Sequence, residues 1–199
     1  MTTTTTKRVR IVHDQDVESP REWDNVGRMV CWHRRYNLGD EQPKDSPQEW
    51  KRNLAADHVN GNEDQIPDEH VDRILEKHFI ILPLYLYDHS GITMSCAPFS
   101  CPWDSGQVGY IYCTKQRGIA ECTTVENAEK CLQGEVKVYD QYLRGDVYGF
   151  VVEEYDDLTG WSHVDSCCGF YGSDPRENGM AEYLDAELTE LACKAEVEY

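Results

Sequence analysis

The side chains that could do chemistry gather in two stretches. The first, Trp23 to Glu41 (WDNVGRMVCWHRRYNLGDE), brings Cys31, His33, Arg34 and Arg35 close together. Arginine presents a planar fork of donors that suits a carboxylate or a phosphate, and histidine titrates near neutrality, so this run reads as a recognition or catalytic edge. The competing reading is electrostatic, with Arg34 and Arg35 neutralising Asp24, Asp40 or the acidic last third of the chain. The second stretch, Tyr87 to Tyr112, holds Asp88, His89 and Ser90, then Asp104, Ser105 and Gly106. Carboxylate, imidazole and hydroxyl are the parts of an acyl-transfer site, but consecutive side chains on a strand diverge, so these three cannot form a triad among themselves. No Gly-x-Ser-x-Gly elbow occurs. Local turn chemistry is expected instead, Asp104-Ser105-Gly106 making a tight loop and Asp88 capping backbone donors. Catalysis would require His33, Asp88, His89 and Asp104 to converge from separate elements, with Cys31 or Cys101 as a thiolate, in a small hydrolase or a nucleic-acid-processing enzyme.

Thiols and imidazoles raise the question of a metal. Structural zinc sites show paired knuckles, whereas Cys96-x4-Cys101 contains Pro98, no second knuckle answers it, and adjacent Cys167 and Cys168 point to opposite faces of a strand. Cys31 and His33, two apart on one strand face, with Cys96, Cys101 or His89 from elsewhere, are the candidates left; no metal and no cofactor are expected. Neither Gly-x-Gly-x-x-Gly nor Gly-x4-Gly-Lys-Ser/Thr is present, so nucleotide binding is not expected. The nine cysteines are an odd number behind an N-terminus (Met1, Thr2 to Thr6) without a signal-peptide core, which predicts reduced thiols inside a cell, several of them acting as small buried hydrophobes.

The elements that would position these residues read as α+β: a mostly antiparallel sheet with three to four helices in a single domain over residues 7–199, preceded by a flexible Thr tract over 1–6. Lys7 to His13 and Gly27 to His33 alternate as half-buried strands. Ser46, Pro47 and Glu49 start a helix towards His58, and another begins near Pro67. Phe79 to Tyr87 (FIILPLYLY) is apolar on both parities, as in a strand covered on both faces, with Pro83 marking an edge position or a bulge. Ile92 to Cys96 and Gln107 to Thr114 continue a meander. Thr123 and Glu126 read as a capping box for a helix that Gly145 closes, with Arg144, Gly145 and Asp146 as cap and turn residues. Val147 to Glu154 and Trp161 to Phe170 form a hairpin around Asp156 to Gly160. An acidic terminal helix runs from Met180 through Ala195.

Over 199 residues, 37 acids face 19 bases, a formal charge of -18, and mean hydropathy is -0.66. No apolar run reaches membrane-spanning length. The asymmetry is local: residues 121–199 carry 19 acids and 5 bases. Such a field disfavours direct contact with nucleic acid and favours a protein with a basic surface, carboxylates in places imitating phosphates; the competing reading is an acidic surface that serves solubility alone. Glu153, Glu154, Asp156, Asp157, Glu182, Asp185, Glu187 and Glu190 are the expected binding residues, with Arg34 and Arg35 from the basic run.

Taken in order, WDNVGRMVCWHRRYNLGDE, LYDHSGITMSCAPFSCPWDSGQVGYIY, YDQYLRGDVYGFVVE and DSCCGFYG resemble a family of small uncharacterised proteins carried by bacteriophages and other mobile elements, over residues 11–172. The resemblance implies expression in the cytoplasm of an infected or element-bearing cell and a role in host takeover or counter-defence, for instance anti-CRISPR or anti-restriction inhibition. It implies no catalytic residues. The Thr tract, the Trp50 to Pro67 segment and the acidic tail lie outside these motifs. The expected function is therefore a counter-defence interaction protein acting through its acidic surface, without a membrane partner.

Overall fold

The computed structural model describes residues 6–59 and 66–198. Among them are five α-helices and eight strands in two four-stranded, mostly antiparallel sheets, the α+β class expected. By its contacts the chain divides into two compact units, Pro20–Asp140 and Met1–Ser19 with Gln141–Tyr199. Thr2 to Thr5 fall outside the described residues. Thr6, expected in the frayed tract, opens the first strand opposite Tyr155.

The unit Pro20–Asp140 holds the sheet β2 (Arg28–Cys31), β5 (Ser105–Thr114), β3 (Phe79–Asp88) and β4 (Ile92–Ser95), in that order and antiparallel throughout. Both faces are covered, which is why β3 is apolar at consecutive positions. On one face Trp50 of α1 (Pro47–His58) stacks on Tyr110 at 5.5 Å, and Ala55 packs with Val71 and Leu75 of α2 (Asp68–His78) against Phe79. On the other lie Ala128, Leu132, Val136 and Tyr139 of α4 (Val125–Arg144): Ala128 meets Ile80 and Cys113 around Gly118, and Leu132 meets Ile111 around Gly27. Gly109 is obligatory here, because a Cβ on it would stand 2.0 Å from the Val30 carbonyl oxygen where β2 crosses close to β5. Pro83 satisfies both expectations. β4 pairs with β3 only from Tyr85 onward, so β3 is locally an edge at Pro83, and the register with β5 shifts at Leu84/Tyr85.

Two helix starts, at Ser46 and near Pro67, fall where expected, and one is corrected. Ser46 forms the full capping box, its Oγ accepting the Glu49 N–H at 3.3 Å while the Glu49 carboxylate accepts the Ser46 N–H at 2.8 Å. The cap of α4, however, is Thr124, whose Oγ1 accepts the Asn127 N–H at 3.1 Å. Thr123, expected to cap it, instead closes α3 (Lys115–Cys122) in a left-handed conformation at φ 74°. The helix α3 itself was not expected; it has Gly118 in its middle and too few apolar residues to show a period.

The other unit holds β7 (Gly160–Tyr171), β6 (Val147–Asp156), β1 (Thr6–His13) and β8 (Val197–Glu198); β1 and β8 are parallel and the other pairs antiparallel. Val9, Ile11, Phe150, Val152 and Phe170 form its core with Met180, Leu184 and Ala192. The hairpin turns where expected, the Asp156 carboxylate accepting the N–H groups of Leu158 and Thr159 and Gly160 taking φ 77°. The terminal helix is a correction. A short 3-10 turn (Met180–Glu182) and α5 (Ala186–Ala192) replace one continuous rod, because Asp185 caps the Leu188 N–H at 2.8 Å and so starts a new helix in mid-pattern.

Candidate functional site

The residues of the two distinctive runs meet at one end of the sheet in the unit Pro20–Asp140. Trp32 N–H donates to the Val108 carbonyl at 2.7 Å, bringing the segment after β2 to β5, and Asp88 N–H donates to the Asp104 carbonyl at 2.8 Å, tying the end of β3 to the loop before β5. That loop is fastened again where the Ser105 hydroxyl donates to the Cys101 carbonyl and where Phe99 packs on Tyr87 at 5.7 Å. A cavity of about 260 Å³ opens between these segments, lined by His33, Arg35, Asp88, Trp103 and Asp104. A second concavity, about 620 Å³, is lined by Trp32, His33, Arg34 and Arg35, so the two share His33 and Arg35.

Within this site Arg35 pairs with Asp88. His89, at the start of the turn between β3 and β4, places Nδ1 3.3 Å from Asp104 Oδ2, which also accepts from the Cys101 thiol at 3.7 Å. His33 Nδ1 accepts the backbone N–H groups of Arg35 at 3.3 Å and Tyr36 at 3.2 Å, and its ring stacks on Tyr36. A ring nitrogen that accepts two backbone hydrogens leaves the other nitrogen to carry the proton, so His33 offers a donor at Nε2 and has no free basic nitrogen. His89 is the opposite case: oriented by a carboxylate at Nδ1, it keeps Nε2 as its acceptor. Trp103 is 91% exposed.

His33, Asp88 and Asp104 thus line one cavity, and His89 bonds to it through Asp104. Several expected roles do not hold. Asp88 holds Arg35 rather than capping backbone donors. Ser105 and Gly106 belong to β5 rather than to a tight loop. Arg34 and Arg35 do not neutralise Asp24 or Asp40, which pair with Arg117 and Arg21. Cys31 is fully buried, and burial first, then the charge of Asp40, pushes its thiol up to about 12, so it is no thiolate. Cys101 touches Asp104 and not an imidazole, so no activated sulfur nucleophile is formed. Among the described residues no three His, Cys, Asp or Glu side chains are placed to share an ion, which leaves Cys31, His33, Cys96 and Cys101 without a common metal position. Trp103 is not among the candidates that residue types and spacing give; its signal in the sequence is a tryptophan between Pro102 and Asp104, in a loop with no periodic element to bury it.

The expected acidic surface lies in the unit of Met1–Ser19 and Gln141–Tyr199, and many of its carboxylates serve the fold. Glu153, with a side chain only 14% exposed, takes Arg8 at 2.7 Å and Arg10 at 3.1 Å, and the Arg8 hydrogen bond leads in holding its carboxyl below the usual glutamate range. Glu154 faces Lys7 at 3.4 Å, Glu190 pairs with Arg176, and Asp156 and Asp185 cap backbone. Asp157, Glu182 and Glu187 are exposed. In the same unit, among the described residues, β7 pairs only with β6 and is exposed from Trp161 through Ser166, and Leu158 at the hairpin tip is 95% exposed. No helix of the described residues is long and apolar enough to cross a membrane. Neither the known protein-family models, nor the curated proteins, nor the solved structures contain a match to this chain.

Proposed function

We propose that the protein is an accessory factor of a bacteriophage or mobile element that acts in the host cytoplasm by binding a host or defence protein with a basic surface, as an anti-CRISPR or anti-restriction inhibitor does. The observation that carries this reading is how charge is used in the unit of Met1–Ser19 and Gln141–Tyr199. It has 17 acids and six bases. Five of those bases, Lys7, Arg8, Arg10, Arg144 and Arg176, already pair with acids of the same unit. The surplus carboxylates therefore project a negative field with almost no cation left in the unit to cancel it, which speeds encounter with a basic partner and weakens as salt rises. Leu158, Trp161 and Val164 on the β6–β7 hairpin supply exposed apolar area for the contact to close on. The alternative, a small hydrolase, is favoured by the Asp104–His89 pair and lacks a positioned nucleophile.

The test is direct binding to purified defence nucleases and effector complexes at low and high salt, by the full chain and by the triple variant Asp157→Lys/Glu182→Lys/Glu187→Lys. Binding that disappears in the triple variant, but survives Glu126→Lys/Glu129→Lys in the other unit, supports the reading. No binding at low ionic strength, or binding indifferent to the triple reversal, defeats it.

A further inference from the structure

We infer that the paired concavities beside β3 and β5 bind a nucleoside monophosphate, its phosphate against Arg34, Arg35 and His33 and its base against Trp103. The site is independent of the partner-binding reading and lies wholly in the unit Pro20–Asp140.

The larger concavity offers donors almost exclusively. Arg34 is exposed, with no ion pair among the described residues; Arg35 is held in place by Asp88; His33, its Nδ1 occupied, keeps Nε2 as its donor. The indole N–H of Trp32 is already spent on the Asp45 carbonyl at 2.7 Å, so it does not compete for a ligand. Two guanidinium forks and an imidazole N–H call for an anion with several oxygens on one centre, which is the geometry of a phosphate.

The adjoining cavity of about 260 Å³ has a different character. Asp88 and Asp104 spend Oδ2 on Arg35 and on His89 with Cys101, which leaves Oδ1 of each to accept from hydroxyls. Trp103 stands at its wall with its ring bare, on a loop tied down at both ends by the Cys101–Ser105 and Asp88–Asp104 hydrogen bonds. An indole kept in water beside a polar cavity is a stacking platform for a flat ring, and every nucleobase has a face that fits it. Anion, hydroxyls and flat ring, offered by two concavities that share His33 and Arg35, describe one nucleotide. A strand is disfavoured because the chain's charge of -18 repels a polyphosphate backbone. The phosphate here is held by side chains, which is why no glycine-rich loop is needed.

The full chain is titrated with adenosine monophosphate, adenosine and inorganic phosphate by calorimetry and by tryptophan fluorescence, and the indole resonance of Trp103 is followed by NMR in the unmodified protein. The nucleotide should saturate and shift that resonance, with each fragment weaker by about tenfold or more. Trp103→Ala should reduce nucleotide binding to the level of phosphate, and Arg34→Gln to the level of adenosine; both side chains are exposed, so unchanged thermal midpoints should accompany both losses. The proposal is overturned if none of the four common mononucleotides saturates, if adenosine binds as well as its monophosphate, or if both variants bind like the parent.

Discussion

A buried charge cluster lies around Arg21, a residue the sequence does not single out. The Arg21 side chain is 6% exposed; it grips Asp40 with Nε at 3.0 Å and Nη2 at 2.7 Å, Glu135 with Nη1 at 3.0 Å, and the Gly27 carbonyl at 2.7 Å. Asp40 in turn accepts the Met29 N–H, and Glu135 accepts those of Val26 and Gly27. Burial alone would weaken the guanidinium's charge, but the hydrogen bonds and charges of Asp40 and Glu135 outweigh it, and the pKa ends above the ordinary arginine value. Arg21→Met should cost about 3–5 kcal/mol in urea denaturation, because it strands two carboxylates that no longer have a counter-charge. Arg21→Lys should restore little, since an ammonium cannot span both oxygens of Asp40. A loss below about 1 kcal/mol for Arg21→Met would place the network among solvated surface pairs instead. In the sequence Arg21 is one cation among nearby acids, and only the fold separates its role from that of Arg34.

Among the elements, β1 was the easiest to read and shows why. Its charged parity, Arg8 and Arg10, shares Glu153 of β6, which registers directly opposite Arg8, while Val9 and Ile11 turn to the core. Glu153 titrates below the usual glutamate range because Arg8, then Arg10, favour its ionised form. Its contribution to stability is therefore complete above the ordinary glutamate pKa and is lost as pH falls from there through the depressed folded value. Glu153→Gln should flatten the acid limb of the urea midpoint plotted against pH; superimposable limbs for parent and variant would contradict this. Alternation, capping boxes and doubly apolar strands are local signals, which is why β1, α1 and β3 were legible. A single acid that restarts a helix, such as Asp185, or a threonine whose φ turns positive, such as Thr123, depends on what packs around it, so the break in the terminal helix and the start of α4 are not legible in the local pattern. The pocket was legible only as residue types. His33, Asp88 and Asp104 stand out in the chain, but the hydrogen bonds that turn His33 into a donor and tie Asp88 to Arg35 belong to tertiary structure.

For the whole molecule, a charge of -18 is a source of self-repulsion as well as of steering. Ionic strength of 0.1 M already shortens the reach of such fields to about 10 Å, so the thermal midpoint should rise by a few degrees as sodium chloride is added to a low-salt buffer. A falling midpoint would mean that the ion pairs around Arg21 and Glu153 outweigh the general repulsion. The division of the chain also fixes an order of events during synthesis. The segment Pro20–Asp140 is continuous and has all its own strands once it is made, whereas β1 finds β6 only after that segment has left the ribosome. Until then Val9 and Ile11 are apolar side chains without a core, so the nascent chain carries a sticky leading strand ahead of a finished body, and translation speed or chaperone capture should govern yield more than equilibrium stability does.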